Sequence, residues 1–256
     1  MIADAYDAFL LDLDGVLYRG DRAIARAPEA VEALRSLGKR LAFVTNNSSR
    51  TPEAVVAHLA SVGVDAAPDE VETSALTTAV ILRDRSVRRA AVIGEEGLRS
   101  ALTSAGIELV PADAEPDAVV LGWDRHVTYD DLRDASLAVQ RGAALYASND
   151  DMSYPAPDGF TWPGAGAILA ALEAATGVDA EVFGKPNPPV LRAALERAGG
   201  GRPLVVGDRL ETDIDGAVNA GWDSALVLTG ISTRAQAAAT PHPPTYVLED
   251  LSGLLA

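Results

Sequence analysis

Residues 9–20 read FLLDLDGVLYRG, an apolar run that ends in two carboxylates one residue apart, Asp12 and Asp14, followed by Gly15. The apolar run predicts a buried strand. Side chains two apart on extended backbone point the same way, so both carboxylates are expected to face one crevice. Two desolvated anions there are costly unless a cation lies between them or one of them is protonated. For this pair alone, a turn at the end of a strand is an equally good explanation.

Composition limits the classes of protein to consider. The 256 residues are 48% hydrophobic and 23% charged, enough for one large domain or for a domain that carries a smaller one. The chain has no cysteine, which excludes disulfides, thiolate metal sites and a cysteine nucleophile. No membrane span and no secretory signal are evident, so the expected compartment is the cytoplasm.

The charge of the chain bears on its partners. A formal net charge of -16 disfavours nucleic acid, whose binding needs a basic surface. An anionic substrate would also meet a repulsive long-range field, so it must be held by local positive groups. The simpler interpretation is that the acidity only keeps the protein soluble.

Short apolar runs alternate with helical stretches along the chain. Runs such as AFLLDL, LAFVTN and PLVVGD are typical of strands, and APEAVEALRSLG and PPVLRAALERAGG have helical spacing. This alternation predicts an α/β fold in which helices cover both faces of a parallel sheet. The alternation between residues 86 and 179 predicts a smaller α/β unit inserted into a core of residues 1–85 and 180–256. The alternative is one long continuous sheet.

Two other predicted strands also end in polar residues. LAFVTN ends in Thr45 and Asn46 before a helix, where a hydroxyl and backbone amides suit phosphate oxygens. PLVVGD ends in Asp208, a candidate metal ligand, and Asp213 follows as a ligand or its support. Asp215 looks structural, because with Thr212 it resembles a capping box.

The residue types available favour a hard cation. Ligands bind beyond the carboxyl ends of strands in open α/β sheets, where these carboxylates are expected. With no cysteine and no histidine at a usable spacing, oxygen ligands remain, and they suit Mg²⁺. Each motif alone has an ordinary explanation as a strand end or helix cap, but together they favour a metal and phosphate site.

Lysine is rare in this chain and occurs only at Lys39 and Lys185. Lys39 lies at the end of a predicted helix, where a positive side chain interacts favourably with the helix dipole. Lys185 lies in FGKPNPP, between a predicted strand and a helix. A compact ammonium there would neutralise both a nucleophilic carboxylate and a bound phosphate, with a solvated loop lysine as the alternative.

These segments resemble, in chain order, the four motifs of the haloacid dehalogenase (HAD) superfamily. The matching segments are DLDGVL, VTNNSS with Thr45, GKP and GDRLETDI. The insertion between the second and third segments is similar to the cap of the p-nitrophenylphosphatase-like subfamily, class IIA. The resemblance covers nearly the whole chain and implies a Rossmann-like core with an inserted α/β cap.

The resemblance implies a Mg²⁺-dependent phosphatase. Asp12 would attack phosphorus and form an aspartyl-phosphate, while Asp14 would protonate the leaving oxygen and later take a proton from the hydrolytic water. Mg²⁺ would be held by the Asp12 carboxylate, the Asp14 backbone carbonyl and Asp208. The groups implied to bind the remaining phosphate oxygens are Lys185, Thr45 and the Asn46 amide.

The resemblance also implies that the cap selects the substrate. The loop of residues 149–166, which begins at Asn149, is the expected reader of the leaving group, and Asp151 would suit the hydroxyls of a polyol or sugar. Tyr154, Phe160 and Trp162 are expected to pack in the cap, with stacking on a substrate ring as the alternative. The implied substrate is a small phosphorylated metabolite, with p-nitrophenyl phosphate used in vitro. Members often form a homodimer through the cap, which the residues themselves do not establish.

Other functions fit the residues less well. A haloacid dehalogenase would leave Asp14, Asp208 and Asp213 without a role, and a phosphonate hydrolase needs a cap lysine that the insertion lacks. A phospho-acceptor signalling module has its acidic metal ligands on an earlier strand and no large cap. A catalytically idle, phosphate-binding member of the same fold remains the main alternative.

Overall fold

The structure is a computed structural model that describes residues 1–155 and 160–256. The chain divides into two compact units. The first comprises residues 1–45, 52–72 and 185–256, and the second comprises residues 46–51 and 73–184. The predicted domain boundaries stay a prediction. The second unit is larger than the predicted insertion of residues 86–179, because it also includes residues 73–85, residues 180–184 and the short segment 46–51.

The helices and strands follow the predicted alternation. The strands are β1 (Ala8–Leu11), β2 (Tyr18–Arg19), β3 (Arg22–Ala23), β4 (Arg40–Thr45), β5 (Val71–Thr73), β6 (Arg89–Ile93), β7 (Glu108–Leu109), β8 (Ala118–Leu121), β9 (Ala144–Ala147), β10 (Ser153–Pro155), β11 (Thr161–Pro163), β12 (Glu181–Val182), β13 (Pro203–Gly207), β14 (Asp223–Val227) and β15 (Tyr246–Leu248). The α-helices are α1 (Ala27–Ser36), α2 (Pro52–Ser61), α3 (Ser74–Asp84), α4 (Glu96–Ser104), α5 (Tyr129–Gln140), α6 (Ala165–Thr176), α7 (Pro188–Arg197), α8 (Asp215–Ala220) and α9 (Arg234–Ala239). Short 3₁₀ turns cover Ile2–Ala5, Pro68–Glu70 and Leu251–Leu255.

The sheet of the first unit has the strand order β15-β14-β13-β1-β4-β5. Strand β1 pairs in parallel with both β13 and β4, so the chain leaves β1 toward one edge of the sheet and later returns on its other side. Such a reversal opens a crevice at the carboxyl ends of the central strands, the usual ligand position in open α/β sheets.

Both faces of this sheet are covered, which explains why its central strands are continuously apolar. Phe9 and Leu11 belong to the core cluster that includes Leu34 of α1. Leu10, between them, belongs to a second cluster with Leu191 of α7. Successive residues of β1 pack on opposite faces because side chains in a strand alternate with a period of two. Packing on both faces fixes the end of β1 in the middle of the unit.

The second unit contains its own parallel sheet, with the order β12-β9-β8-β6-β7. Val119 on one face packs in a cluster with Leu169 of α6, and Val120 on the other face packs with Ala79 of α3 and Leu98 of α4. Separate sheets in the two units rule out the alternative of one continuous sheet. The predicted α/β class, with parallel sheets covered by helices, is confirmed.

Helix α5 shows how the local sequence sets an element boundary. The Thr128 hydroxyl accepts a hydrogen bond from the Asp131 backbone N–H at 3.2 Å, and the Asp131 carboxylate accepts one from the Thr128 backbone N–H at 2.9 Å. This reciprocal pair satisfies two backbone donors that a helix start leaves without partners. In the part of the chain that the structure describes, no helix is both long and apolar enough to cross a bilayer.

Candidate active site

Asp12 and Asp208 lie at the carboxyl ends of two adjacent parallel strands. Asp12 follows β1, and its backbone N–H donates to the carbonyl of Val206 in β13 at 2.9 Å. Asp208 directly follows β13 and is buried. The two carboxylates therefore meet at the edge where the strand order reverses, as the sequence predicted from the ends of the apolar runs.

Lys185 lies between two of the carboxylates. Its Nζ is 2.5 Å from Oδ1 of Asp12 and 2.6 Å from Oδ1 of Asp213. The side chains of Lys185 and Asp213 are 3% and 2% exposed, and that of Asp12 is 13% exposed. Burial lowers the pKa of Lys185, but the two carboxylates outweigh it and hold that pKa above its ordinary value. The ammonium thus stays charged and offsets the acids around it.

Asp213 reaches this position through an irregular turn. Residues Leu210–Ile214 form a turn of π-helix, and the Arg209 backbone N–H donates to Oδ2 of Asp213 at 3.1 Å. A Cβ on Gly207 would lie 2.2 Å from the Cβ of Asp213, so only glycine allows this approach. The predicted capping box of Thr212 and Asp215 is wrong: helix α8 begins after Ile214 without a capping side chain, because the π turn occupies its start.

The carboxylates of Asp12, Asp208 and Asp213 suit a hard divalent cation. One oxygen from each lies within 4.8 Å of the others. Burial raises the pKa of Asp12 well above its ordinary value; Lys185 opposes this, and the charges of Asp213 and Asp208 add to it. Burial, followed by the charge of Asp213, raises the pKa of Asp208 to about 7. One ammonium is therefore not enough to keep three clustered carboxylates ionised, and a divalent cation would be. Clustered oxygen donors are the ligand chemistry that Mg²⁺ prefers.

Asp14 and Thr45 lie at the same edge of the sheet. Asp14 is half-buried in the turn after β1, where the backbone N–H of Gly15 donates to the Tyr18 carbonyl at 2.8 Å. Thr45 is the buried last residue of β4, which pairs with β1 in the register Leu11 to Phe43. The acid/base role of Asp14 and the phosphate-binding role of Thr45 stay predictions.

Asn46, Asn149 and Asp151 form a closed ring of hydrogen bonds within the second unit. The side-chain amide of Asn149 donates to the backbone carbonyl of Asn46 at 2.8 Å. The Oδ1 of Asn149 accepts from the backbone N–H of Asp151 at 3.2 Å, and the side-chain amide of Asn46 donates to Oδ1 of Asp151 at 3.2 Å. The Ser74 hydroxyl also donates to the Asn46 carbonyl, at 2.6 Å. Two predicted specificity residues thus hold the predicted phosphate-binding residue Asn46.

The predicted substrate-reading loop contains two strands, β10 and β11, that pair antiparallel. Tyr154 packs on Trp123 with ring centroids 4.2 Å apart, as predicted for a residue of the cap core. Phe160 is 74% exposed and Trp162 is 38% exposed, so the prediction of core packing is wrong for Phe160. Residues 156–159 of this loop lie outside the described residues. That Asn149 and Asp151 select the substrate stays a prediction.

The sequence analysis missed the segment Thr229–Ser232, which follows β14. Its backbone contacts Asp208, with the N–H of Ile231 donating to Oδ2 at 2.8 Å. The available signal was the end of SALVLTG, where a strand is followed by Thr229 and Gly230 at the same sheet edge as the other strand ends. The sequence analysis also missed Ser74, because a hydroxyl that binds a backbone carbonyl has no residue pattern of its own.

Comparisons with known proteins match most of the chain. The family model for haloacid dehalogenase-like hydrolases matches residues 9–108, and a HAD-hydrolase-like model matches residues 182–254. The chain is 40% identical to the acid sugar phosphatase of Staphylococcus aureus (strain MRSA252) over 254 residues, which are 98% of this chain and 97% of that protein.

Solved structures resemble the chain over nearly its whole length. The glycerol phosphate phosphatase of Mycobacterium tuberculosis, solved in complex with calcium, is 39% identical with a TM-score of 0.93, and the match covers 99% of this chain and 76% of that one. That protein has also been solved in complex with magnesium. The 4-nitrophenylphosphatase of Thermotoga maritima is 34% identical with a TM-score of 0.93, covering 100% of this chain and 99% of that one.

Proposed function

Because the chain belongs to the family of haloacid dehalogenase-like hydrolases, we propose that it is a Mg²⁺-dependent phosphomonoesterase acting on a small phosphorylated polyol or sugar. The family and the class of phosphoric monoester hydrolase, both predicted from the four motifs, are confirmed by the similar phosphatases. The observation that carries the proposal is the buried Lys185 ammonium beside three carboxylates that lie within 4.8 Å of one another. The magnesium complex of a relative supports the choice of cation.

Asp12 and Asp14 perform the chemical steps. Asp12 attacks phosphorus in line, the bond from phosphorus to the leaving oxygen breaks, and Asp14 gives its proton to that oxygen. This leaves an aspartyl-phosphate on Asp12. Water then attacks phosphorus, Asp14 takes the proton of that water, and the carboxylate of Asp12 is released with inorganic phosphate.

The remaining residues position charge. Lys185 orients Asp12 through its 2.5 Å contact and offers its positive charge to the incoming phosphate. Thr45 and the Asn46 amide bind phosphate oxygens. The residues that would hold Mg²⁺ are Asp12, the Asp14 carbonyl and Asp208, with Asp213 as ligand or support; when bound, the ion offsets repulsion between the nucleophile and the phosphate. These local positive groups let a chain of net charge -16 bind an anion.

The inserted α/β segment of residues 86–179, which holds Asp151, acts as the cap that selects the leaving group. The carboxylate of Asp151 accepts hydrogen bonds and therefore suits the hydroxyls of a polyol or sugar. We place the enzyme in the cytoplasm, with no nucleic acid and no membrane as partner. The net charge of -16 supports the exclusion of nucleic acid.

The test measures release of inorganic phosphate from p-nitrophenyl phosphate, glycerol phosphate and a panel of sugar phosphates, with Mg²⁺ and with a chelator. We expect Mg²⁺-dependent release that falls by at least about a thousandfold in Asp12→Asn, because the nucleophile is lost. The matched control is Asp69→Asn, at an exposed aspartate of the same unit, which should keep the wild-type rate. Binding of Mg²⁺ and of inorganic phosphate without release from any ester would instead identify a catalytically idle phosphate-binding protein.

A further inference from the structure

The segment Thr229–Ser232 contacts the carboxylate of Asp208 from one side. We propose that this segment, tied in place by the Thr229 hydroxyl, is the positioning element that orients Asp208 toward the cation. The inference rests on the proposed function, because it assigns to Asp208 the role of a Mg²⁺ ligand. It adds to that function a residue outside the four motifs.

Two backbone hydrogen bonds fix Asp208 from this segment. The N–H of Ile231 donates to Oδ2 of the Asp208 side chain at 2.8 Å. The N–H of Ser232 donates to the backbone carbonyl of the same residue at 3.0 Å. One carboxylate oxygen and the main chain of Asp208 are thus held together, which restricts rotation of the carboxylate and leaves Oδ1 as the oxygen that would bind the cation.

Two glycines form a cradle around the same carboxylate. A Cβ on Gly230 would lie 1.9 Å from Oδ2 of Asp208, and a Cβ on Gly15 would lie 2.4 Å from the same atom. Gly15 also has a φ of +81°, a conformation that side chains disfavour. Because real Cβ atoms do not approach so closely, both positions require glycine for Asp208 to keep this orientation.

The Thr229 hydroxyl links the two segments that carry these glycines. It donates to the backbone carbonyl of Gly15 at 2.6 Å and so joins the segment after β14 to the turn that carries Asp14. The Arg19 guanidinium adds a second link, to the carbonyl of Gly230 at 3.0 Å. The hydroxyl is not among the groups proposed to hold the cation or the phosphate, so Thr229 acts through Asp208 and is a positioning residue.

The test compares two substitutions that separate the hydroxyl from the shape of the side chain. Thr229→Val removes the donor and keeps the branched shape, whereas Thr229→Ser keeps the donor. Titration calorimetry of the full-length, metal-free protein with MgCl₂ gives the Kd for Mg²⁺, and the melting temperature without metal reports stability. We expect Thr229→Val to weaken Mg²⁺ binding by about tenfold and Thr229→Ser to stay within about twofold of wild type.

A purely structural role would lower the metal-free melting temperature of Thr229→Val and leave its Kd unchanged, and that result would overturn the proposal. An equal loss of affinity in Thr229→Ser would overturn it too. Gly230→Ala provides a second check, since its Cβ must displace Oδ2 of Asp208; we expect a larger loss of Mg²⁺ affinity than in Thr229→Val.

The positioning role of Thr229 and the proposed phosphatase function can each fail without the other. If wild type binds Mg²⁺ with the predicted dependence on Thr229 but hydrolyses no phosphate ester, the positioning role stands and the phosphatase proposal fails. If wild type hydrolyses phosphate esters and Thr229→Val binds Mg²⁺ as wild type does, the phosphatase proposal stands and the positioning role fails.

Discussion

Lys185 and Asp213 form a buried ion pair, with Nζ 2.6 Å from Oδ1 and side chains that are 3% and 2% exposed. The same ammonium lies 2.5 Å from Oδ1 of Asp12, so the positive charge of Lys185 offsets two carboxylates. Removing one partner of a buried pair is far more damaging than the net stabilisation of the pair suggests, since the remaining charges keep their desolvation cost.

Lys185→Met is therefore expected to destabilise the protein at pH 7 by about 3 kcal/mol or more and to abolish phosphate release. Urea unfolding measures the free energy, with Lys39→Met as the matched control. Lys39 donates a partly buried hydrogen bond to the Tyr6 carbonyl, so its loss should cost only about 1 kcal/mol. Equal stability losses in the two variants would show that Lys185 does not offset the buried acids.

The stabilisation of the folded protein by Mg²⁺ should depend on pH because Asp208 titrates. Burial raises the pKa of Asp208 to about 7, whereas an aspartate in the unfolded chain has a pKa of about 3.9. Between these values the folded, metal-free protein holds a proton that the unfolded chain has lost, so its stability falls as the pH rises through this range. Mg²⁺ binds the ionised carboxylate and relieves that cost.

The increase in melting temperature caused by Mg²⁺ is therefore expected to be larger at about pH 8 than at about pH 5.5. Thermal unfolding with and without MgCl₂ at both pH values measures it. Asp208→Asn should reduce the difference, and the raised pKa of Asp12 accounts for the part that stays. An increase that is equal at both pH values, or larger in acid, would contradict the assignment of Asp208 as a ligand that competes for a proton.

The hydrogen-bonded ring of the second unit gives a prediction for Asn149. Asn149→Leu removes the amide that donates to the Asn46 carbonyl at 2.8 Å and should cost about 1 to 3 kcal/mol of stability. Because Asn46 is then less well ordered, KM for phosphate esters should rise more than kcat falls. Steady-state kinetics measure the split.

Asp113→Asn is the control for this change, because Asp113 is an exposed residue of the same unit that lies outside the substrate-reading loop. It should leave both stability and KM close to wild type. A KM in Asn149→Leu that equals the wild-type value would show that the ring does not hold Asn46 for phosphate binding.

The carboxylates that meet at the edge of the first sheet were predictable from the sequence, because their positions depend only on where the strands end. Asp12 and Asp208 each follow a continuously apolar run, and parallel strands in the middle of a sheet place such ends side by side. Lys185 stood out because the chain has only one other lysine. Residue type and position along the chain were sufficient for these three side chains.

Other features depend on contacts that no local pattern shows. Asp213 was predicted as a metal ligand or its support, but its ion pair with Lys185 depends on a π turn and on the missing Cβ of Gly207. The local sequence instead favoured a capping box of Thr212 and Asp215. The segment Thr229–Ser232 holds Asp208 through backbone N–H groups, which are the same in every non-proline residue. Helix α3 packs on the second sheet through residues such as Ala79, and its own sequence does not indicate which sheet it covers.

The most direct measurement concerns the covalent step at Asp12. Asp14→Asn removes the proton donor and the base, yet p-nitrophenolate is a good leaving group that needs little protonation. With p-nitrophenyl phosphate and Mg²⁺, this variant should release about one equivalent of nitrophenol per chain and then stall, because hydrolysis of the aspartyl-phosphate lacks its base.

Mass spectrometry of the acid-quenched variant then locates the phosphoryl group. Phosphate on the peptide that contains Asp12, absent when Asp12 is also changed to Asn, is the expected result. Continuous turnover at the wild-type rate by Asp14→Asn, or a phosphoryl group on another residue, would contradict the assignment of Asp12 as nucleophile and Asp14 as acid and base.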